Sequence, residues 1–374
     1  MTASKEVFVG IDVAKLRNAV ALADTGRDGE IRYMGEFDAS PESMTRLIKK
    51  LAAKYDELHF CYEAGPTGYG LHRLITELGH SCMVVAPSLI PRKAGDRIKT
   101  NRRDATGLAR LLRAGELTPV WVPDPAHEAM RNLIRSRTTT VETIRSHKQQ
   151  VGAFLLRHSR IFPRHKQWGA RYRRWLQEQS FEHPADQIVL QEAIQAVRLA
   201  EERLSRIEKA ITEFLSDWHL RPVVEALQAL RGIDLVVAAS FVVEIGDIRR
   251  FAHPSQLMGY LGLVPAERST GETVRRGSIT KMGNVRIRQL LVESAWTYRF
   301  PPRVGAKKQR HLDKVSSKIR EIAWKAQSRL SARYRAMAAR GKKSTVVCTA
   351  IARELVGFMW AVAMEVQPAA SPAA

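Results

Sequence analysis

Cysteine is scarce in this chain: only Cys61, Cys82 and Cys348 occur in 374 residues. Three thiols cannot all pair with one another, each sits in an apolar run, and none has metal-ligand spacing. A disulfide-stapled scaffold and a cysteine-built zinc site are therefore excluded, and buried thiols in a reducing cytoplasm are expected. Met1–Glu6 has no apolar signal core, and no stretch approaches the ~18–20 uninterrupted apolar residues of a spanning helix. The expectation is a cytoplasmic protein with no membrane segment. Acid is also short, because 38 Asp and Glu face 60 Lys and Arg, a net charge of +22. The resulting pI of about 10.3 exceeds what solubility requires and implies a polyanionic partner.

The positive charge is concentrated. Residues 157–175 carry seven Arg or Lys and no acid, and residues 299–343 carry fifteen against only Asp313 and Glu321. In the first stretch Arg157, Arg160, Arg164, Lys166, Arg171, Arg173 and Arg174 alternate with Phe162, Trp168, Tyr172 and Trp175. Charge of that kind tracks a nucleic-acid backbone, and the rings either stack on unpaired bases or form helix core. In the second, Lys307, Lys308, Arg310, Lys314, Lys318, Arg320 and Lys325 form a strip expected to follow DNA phosphates with steep salt dependence.

The length suits two domains and a connector. Glu6–Ile11, Asn18–Ala23 and Ile31–Phe37 are short β-rich runs bounded by turn residues, which predicts a three-strand meander. Ser40-Pro41 then opens a helix over Pro41–Lys54, with Met44, Leu47, Ile48 and Leu51 on one face. Leu58–Tyr62 reads as a strand, Gly68–Leu78 as a helix, Ser81–Ala86 as a strand and Arg103–Arg113 as a helix. The order βββαβαβα is an α/β layer arrangement and is that of the RNase H-like fold. From about 126 to 218 β signal is missing, and Leu190, Ile194, Val197, Leu204, Ile207, Ile211, Leu215 and Trp218 form a near-heptad stripe. Either a helical hairpin within the chain or an intermolecular coiled coil satisfies it. Beyond Val223 short helices, a Gly- and Arg-rich stretch from Gly259 to Gly283, and further helices follow, with a Pro/Ala-rich tail expected to be disordered. Leu230-Arg231-Gly232-Ile233 fits a helix-hairpin-helix turn presenting N–H groups to a phosphate, or a plain helical hairpin. The fold class is thus α/β plus α, divided as 1–125 (RNase H-like), 126–222 (helical connector), 223–364 (mostly helical) and 365–374 (tail).

Asp12, Glu63 and Asp104 each fall at a strand end or a helix start, so an open α/β sheet can bring them to one edge. Carboxylates are the hard oxygen ligands that magnesium takes while keeping several waters, and a phosphodiester supplies the rest. A pair of such ions ~4 Å apart activates one oxygen and stabilises the leaving one. Around Asp104 the sequence Lys99-Thr100-Asn101-Arg102-Arg103-Asp104-Ala105 sets cations beside a carboxylate; the plainer reading is an Asp capping the helix among solvated arginines.

Three phrases, Gly10-Ile11-Asp12-Val13-Ala14-Lys15, Tyr62-Glu63-Ala64-Gly65-Pro66-Thr67-Gly68 and Lys99–Ala105, together resemble the DEDD transposases of insertion sequences. Downstream, Gly259-Tyr260-Leu261-Gly262-Leu263-Val264-Pro265, Ser269-Thr270-Gly271-Glu272 and Gly277-Ser278-Ile279-Thr280-Lys281-Met282-Gly283-Asn284 look like that family's C-terminal domain, so the resemblance spans nearly the whole chain. It implies a RuvC-like N-terminal domain with Mg2+, or Mn2+ in its place, on Asp12, Glu63 and Asp104. The family's remaining acid falls at Asn101, a poorer neutral ligand; either Asn101 ligates weakly, or Asp96 or a DNA phosphate completes the shell. The resemblance also implies a nucleophilic serine forming a covalent phosphoserine link. Ser269 is the first choice, with Thr270 and Ser278 as alternatives, because Arg268, Arg275 and Arg276 stand near it to stabilise a pentavalent phosphate. Double-stranded DNA at the element ends and target, a structured guide RNA from the same element, and a homo-oligomer, dimer or tetramer, are implied as partners. The expected activity is DNA cutting and rejoining; the rivals are a metal-dependent junction nuclease acting through the acids alone, and an inactive nucleic-acid-binding relic.

Overall fold

The computed structural model describes residues 5–91, 100–163 and 167–367. Asp96, Lys99, Arg164, Lys166 and the tail from residue 368 onward lie outside the described residues. The chain divides into two compact units, Met1–Val122 and Pro123–Ala374.

The first unit follows the expected element order. Strands β1 (Glu6–Asp12), β2 (Arg17–Asp24) and β3 (Ile31–Asp38) precede helix α1 (Pro41–Ala52), strand β4 (Glu57–Glu63), helix α2 (Gly70–Glu77), strand β5 (Ser81–Val85) and helix α3 (Asn101–Arg113). They form one mixed sheet ordered β3-β2-β1-β4-β5, antiparallel across β1, β2 and β3 and parallel from β1 to β4 to β5. This arrangement is consistent with an RNase H-like domain. Strand alternation decides the two faces. Val7, Val9 and Ile11 of β1 turn towards Met44, Leu47, Ile48 and Leu51 of α1 and Ile75 of α2, and make one apolar layer. Phe8, Gly10 and Asp12 turn the other way, towards α3.

That second face is built from small residues. Ala19, Ala21 and Ala23 of β2 meet Ala105 and Ala109 of α3, and at Gly10 the helix backbone touches the strand. A Cβ on Gly10 would stand 2.3 Å from the Ala109 amide nitrogen and 2.4 Å from the Ala105 carbonyl oxygen. Gly10→Ala is therefore expected to push α3 off the sheet and to destabilise the unit by about 3 kcal/mol. A thermal melt of the variant that overlays the wild type would disprove this close approach.

The second unit is helical. Helices α4 (Pro125–Arg157), α5 (Ala170–Gln177), α6 (Pro184–Leu215), α7 (Arg221–Leu227), α8 (Leu235–Ile245) and α9 (Pro254–Tyr260) lead to a hairpin of β6 (Pro265–Glu267) and β7 (Arg276–Ile279). After it come α10 (Val285–Ala295), α11 (Ala306–Leu312), α12 (Ser317–Ala339) and α13 (Ser344–Val366). The ion pairs Arg137–Glu208 and Lys148–Glu201, both 2.7 Å, climb α4 while descending α6, so the two long helices are antiparallel. At their tip Val151, Phe154, Leu155, Leu190 and Val197 enclose Tyr172 and Leu176 of α5. At their base Met130, Ile134, Ile211 and Leu215 enter the core formed by α7 to α13. The apolar stripe is thus satisfied within the chain as a helical hairpin.

α13 is long and apolar enough to cross a membrane by length and composition, although Arg353-Glu354 interrupts it. Its position explains the apolarity: Val347, Cys348, Ile351, Ala352, Leu355, Val356, Met359 and Val362 lie at the centre of the second unit's core.

Candidate active site

The acids converge at one end of the sheet. Ile11 of β1 and Tyr62 of β4 pair in parallel register, so Asp12 and Glu63 emerge one residue later, side by side on strands ~5 Å apart. Both point to the face that carries Gly10 and Cys61, the face covered by α3. The direction of α3 follows from its contacts. At its C-terminal end Arg113 donates to the carbonyls of Asp24 (3.0 Å) and Gly29 (2.7 Å), and Asp24 lies opposite Val7 at the start of β1. The other end of α3 must then overhang the Asp12 end, and that end carries Asn101 and Asp104.

Asp104 is not the helix cap. The Thr100 hydroxyl accepts from the Arg103 amide at 3.3 Å, and the Asp104 amide donates to the Thr100 carbonyl. The carboxylate thus belongs to the first turn, where the helix dipole favours negative charge and N–H groups attract phosphate. Asn101 is exposed, and its Nδ2 donates to Glu36 Oε1 at 3.2 Å. Glu36 went unnoticed in the sequence. It joins the site through register, because Asp12 pairs with Ala19 and Ala19 with Glu36, one row across three strands.

The donor set fits a hard divalent cation in kind: carboxylate oxygens at the end of a sheet beside a helix N-terminus. Among the described residues, the group whose three ligand atoms lie within 4.8 Å of one another is different, comprising Glu6, Glu57 and His59. It sits at the opposite end of the sheet, where Glu6 and Glu57 begin β1 and β4. There His59 Nε2 approaches Glu6 at 2.9 Å while Nδ1 meets the Ser81 hydroxyl at 2.8 Å. The His59 ring also stacks on Phe8, with centroids 5.2 Å apart. The two edges are distinct, and the motif acids occupy the one beside α3.

Ser269 lies in the β6–β7 hairpin. Its tip is closed by reciprocal backbone bonds between Thr270 and Thr273 at 3.1 Å, with Gly271 at φ +55°, a left-handed turn conformation that suits glycine. The hairpin base is fixed by two further glycines. A Cβ on Gly262 would fall 2.3 Å from the Met282 carbonyl oxygen, and one on Gly283 would fall 2.0 Å from that of Tyr260. Arg288, buried, donates to the carbonyls of Leu261 (2.9 Å) and Met282 (2.7 Å). Ser269 itself is exposed, and its hydroxyl donates to Glu267 Oε1 at 2.8 Å. The other Glu267 oxygen takes the Arg276 Nε–H at 3.3 Å. The Ser269 hydrogen bond first, and Arg276 second, hold the Glu267 carboxyl below its usual range.

The alternatives have other settings. Thr270 is committed to the turn. Ser278, exposed on β7, lines a groove of about 940 Å³ with Lys281, Arg329, Arg333 and Arg353, a basic surface suited to a phosphate chain. Glu354, which also lines it, holds Arg333 at 2.5 Å and Arg329 at 2.9 Å.

Within the two basic stretches some side chains have internal partners. In the 157–175 stretch the rings pack on one another: Phe162 against Tyr172 and Trp175, and Tyr172 against Trp168 and Trp175, at centroid distances of 5.1–5.6 Å. They are core of the hairpin tip, and Arg173 is paired with Glu201 at 2.8 Å. In the 299–343 strip Lys308 does not face solvent. Its ammonium donates to the carbonyls of Gln228, Leu230 (2.8 Å) and Ile233 (3.0 Å), and burial pushes its pKa down to about 8. Tyr298 caps the Arg231 carbonyl at 2.9 Å, and a Cβ at Gly232 would meet the Ser294 carbonyl oxygen at 2.6 Å. The glycine turn is thus held from inside, as in a helical hairpin. Lys318 is engaged too, with Glu365 at 2.6 Å.

Comparison with known proteins converges on one group. Residues 9–160 match the DEDD transposase family profile of IS110 type, and residues 224–309 match the profile described as transposase IS116/IS110/IS902 family. A provisionally named transposase of Sinorhizobium fredii, y4qE, is 63% identical over 98% of this chain and 91% of its own. The transposase for insertion sequence element IS1533 of Leptospira borgpetersenii is 32% identical over 79% of this chain and 86% of its own. That for IS1328 of Yersinia enterocolitica is 25% identical over 71% and 83%.

Proposed function

Because this chain belongs to the IS110/IS116/IS902 family of insertion-sequence transposases, we propose that it cuts and rejoins DNA through the acids of its first unit and a serine of its second. The observation that carries the reading is the meeting of Asp12, Glu63 and the first turn of α3 at one open sheet edge. Asp12, Glu63 and Asp104 would hold magnesium, with the Asn101 amide oxygen as a weaker neutral ligand. When bound, the metal supplies charge stabilisation at a phosphodiester and lowers the pKa of coordinated oxygen.

The protein's own groups do the remaining work. Asn101 is oriented by Glu36, which takes its Nδ2 and turns its Oδ1 away from that carboxylate. Ser269 attacks phosphorus, Arg268, Arg275 and Arg276 offset the charge that builds on the phosphate oxygens, and the phosphoserine ester conserves bond energy for rejoining. The DNA runs along basic surface such as the Lys281–Arg353 groove. A structured RNA from the same element supplies sequence choice, and the exchange of four strands calls for an oligomer.

The test is a strand-exchange reaction with purified protein carrying its co-expressed element RNA, magnesium, labelled element-junction DNA and a target duplex. Rejoined strands of exchanged partner are expected, lost on adding EDTA. Hydrolysed ends without rejoining would replace this reading with a nuclease.

A further inference from the structure

Ser269 stands beside a carboxylate that no motif singled out. Glu267 and Ser269 are two residues apart on one hairpin arm and so share a face, and Arg276 lies directly across from Glu267 in the hairpin register. Among the described residues the polar partners of the Glu267 side chain are Ser269, at 2.8 Å, and Arg276, at 3.3 Å. Its other charged neighbours in sequence are Arg268 and Arg275, whose backbones bond to each other at 2.9 Å. All of these side chains are exposed, so a substrate phosphate reaches them without rearrangement of the core.

A serine hydroxyl is a weak nucleophile unless a base takes its proton as the new bond forms. We propose that Glu267 is that proton acceptor for Ser269, and that Arg276 restrains it until an incoming phosphate draws the guanidinium away. The proposal rests on the reading of Ser269 as nucleophile. In the step, the Ser269 Oγ–H proton passes to Glu267 Oε1 while Oγ bonds to phosphorus. The bond from phosphorus to the leaving deoxyribose oxygen breaks, and that oxygen keeps the electron pair and takes a proton from water. Glu267 later returns its proton to solvent. Arg276 is suited to the exchange because its contact with Glu267 is a single, exposed Nε–H bond rather than a bidentate clamp. Once it moves to phosphate, the carboxylate loses its cation and becomes a stronger base, as carboxylates do when an opposite charge leaves.

The test uses the full chain and a fluorophosphonate probe, which needs neither RNA nor DNA. Attack by Ser269 forms the oxygen–phosphorus bond and expels fluoride, and mass spectrometry locates the adduct. Labelling at Ser269 is expected to fall at least 10-fold in Glu267→Gln and to recover in part in Glu267→Asp. The acid limb of the wild-type rate against pH should lie below the usual carboxylate range, because Ser269 and Arg276 hold Glu267 there. It should move upward in Arg276→Gln and vanish in Glu267→Gln. Equal labelling of Ser269 in wild type and Glu267→Gln, or no labelling of Ser269, overturns the proposal. A DNA adduct mapped in the wild type to another residue overturns instead the reading of Ser269 as nucleophile, and the two failures are thereby told apart.

Discussion

Ser269→Ala is expected to abolish the covalent protein–DNA adduct outright, a loss of at least ~10⁴-fold against wild type. The variant removes one exposed oxygen whose side-chain contact is Glu267. The hairpin's backbone bonds at Arg268–Arg275 and Thr270–Thr273 and its glycine-fixed base are untouched. Its melting temperature and its noncovalent affinity for junction DNA should therefore match the wild type. The adduct is read on a denaturing gel with end-labelled junction DNA, using Thr270→Ala and Ser278→Ala as parallel variants. Thr270→Ala should keep the adduct, because the reciprocal bonds at that position are made by the backbone. Ser278→Ala should keep it with weaker DNA affinity, since its hydroxyl lines the basic groove. An adduct that survives in Ser269→Ala and disappears in Ser278→Ala would move the chemistry into that groove.

What the sequence could reveal depended on the range of the interactions involved. The first unit was legible because its signals are local: alternation in Glu6–Asp12, the Ser40-Pro41 helix start, and turn residues between short strands. Asp12 and Glu63 were legible for the same reason, since a strand that ends fixes where the next side chain emerges. The start of α3 was displaced by two residues, because Thr100 rather than Asp104 supplies the cap.

The β6–β7 hairpin left no such trace. Its strands are three and four residues long, too short for alternation to register, so Glu267 was invisible as the partner of Ser269. Glu36 enters the acidic edge only through pairing of β2 with β3, whose register is shifted by an irregularity between Val20 and Ala21. Lys308 shows the same limit in the opposite direction. Its basic neighbours in sequence point it towards DNA, whereas its acceptors lie some 75–80 residues earlier in the chain. The rings of 162–175 likewise had two chemically sound readings, and the packing of α5 between α4 and α6 decided between them.

Asp12→Asn is expected to lower strand cleavage by about 10³-fold while leaving the fold in place. Charge stabilisation by a bound divalent ion is worth several kcal/mol at a phosphodiester, and each 1.4 kcal/mol is one decade of rate. The amide is nearly isosteric with the carboxylate, so the pairing of β1 with β2 and β4 should persist, which circular dichroism melts would verify. What changes is charge at a point where Glu63 emerges alongside and α3 brings Asp104 over the same edge. Calorimetric titration with Mn2+ should show weaker binding in Asp12→Asn and in Glu63→Gln. Asn101→Asp should strengthen it, by restoring a charged ligand, but by less than a full carboxylate's worth. The new acid would face Glu36 in place of the hydrogen bond that Asn101 now donates, and like charges at that distance repel. Pairing Asn101→Asp with Glu36→Gln should remove the penalty and give the tightest metal binding of the series. Unchanged Mn2+ affinity in Asp12→Asn would remove the metal from this edge and leave the serine hairpin as the sole reactive centre.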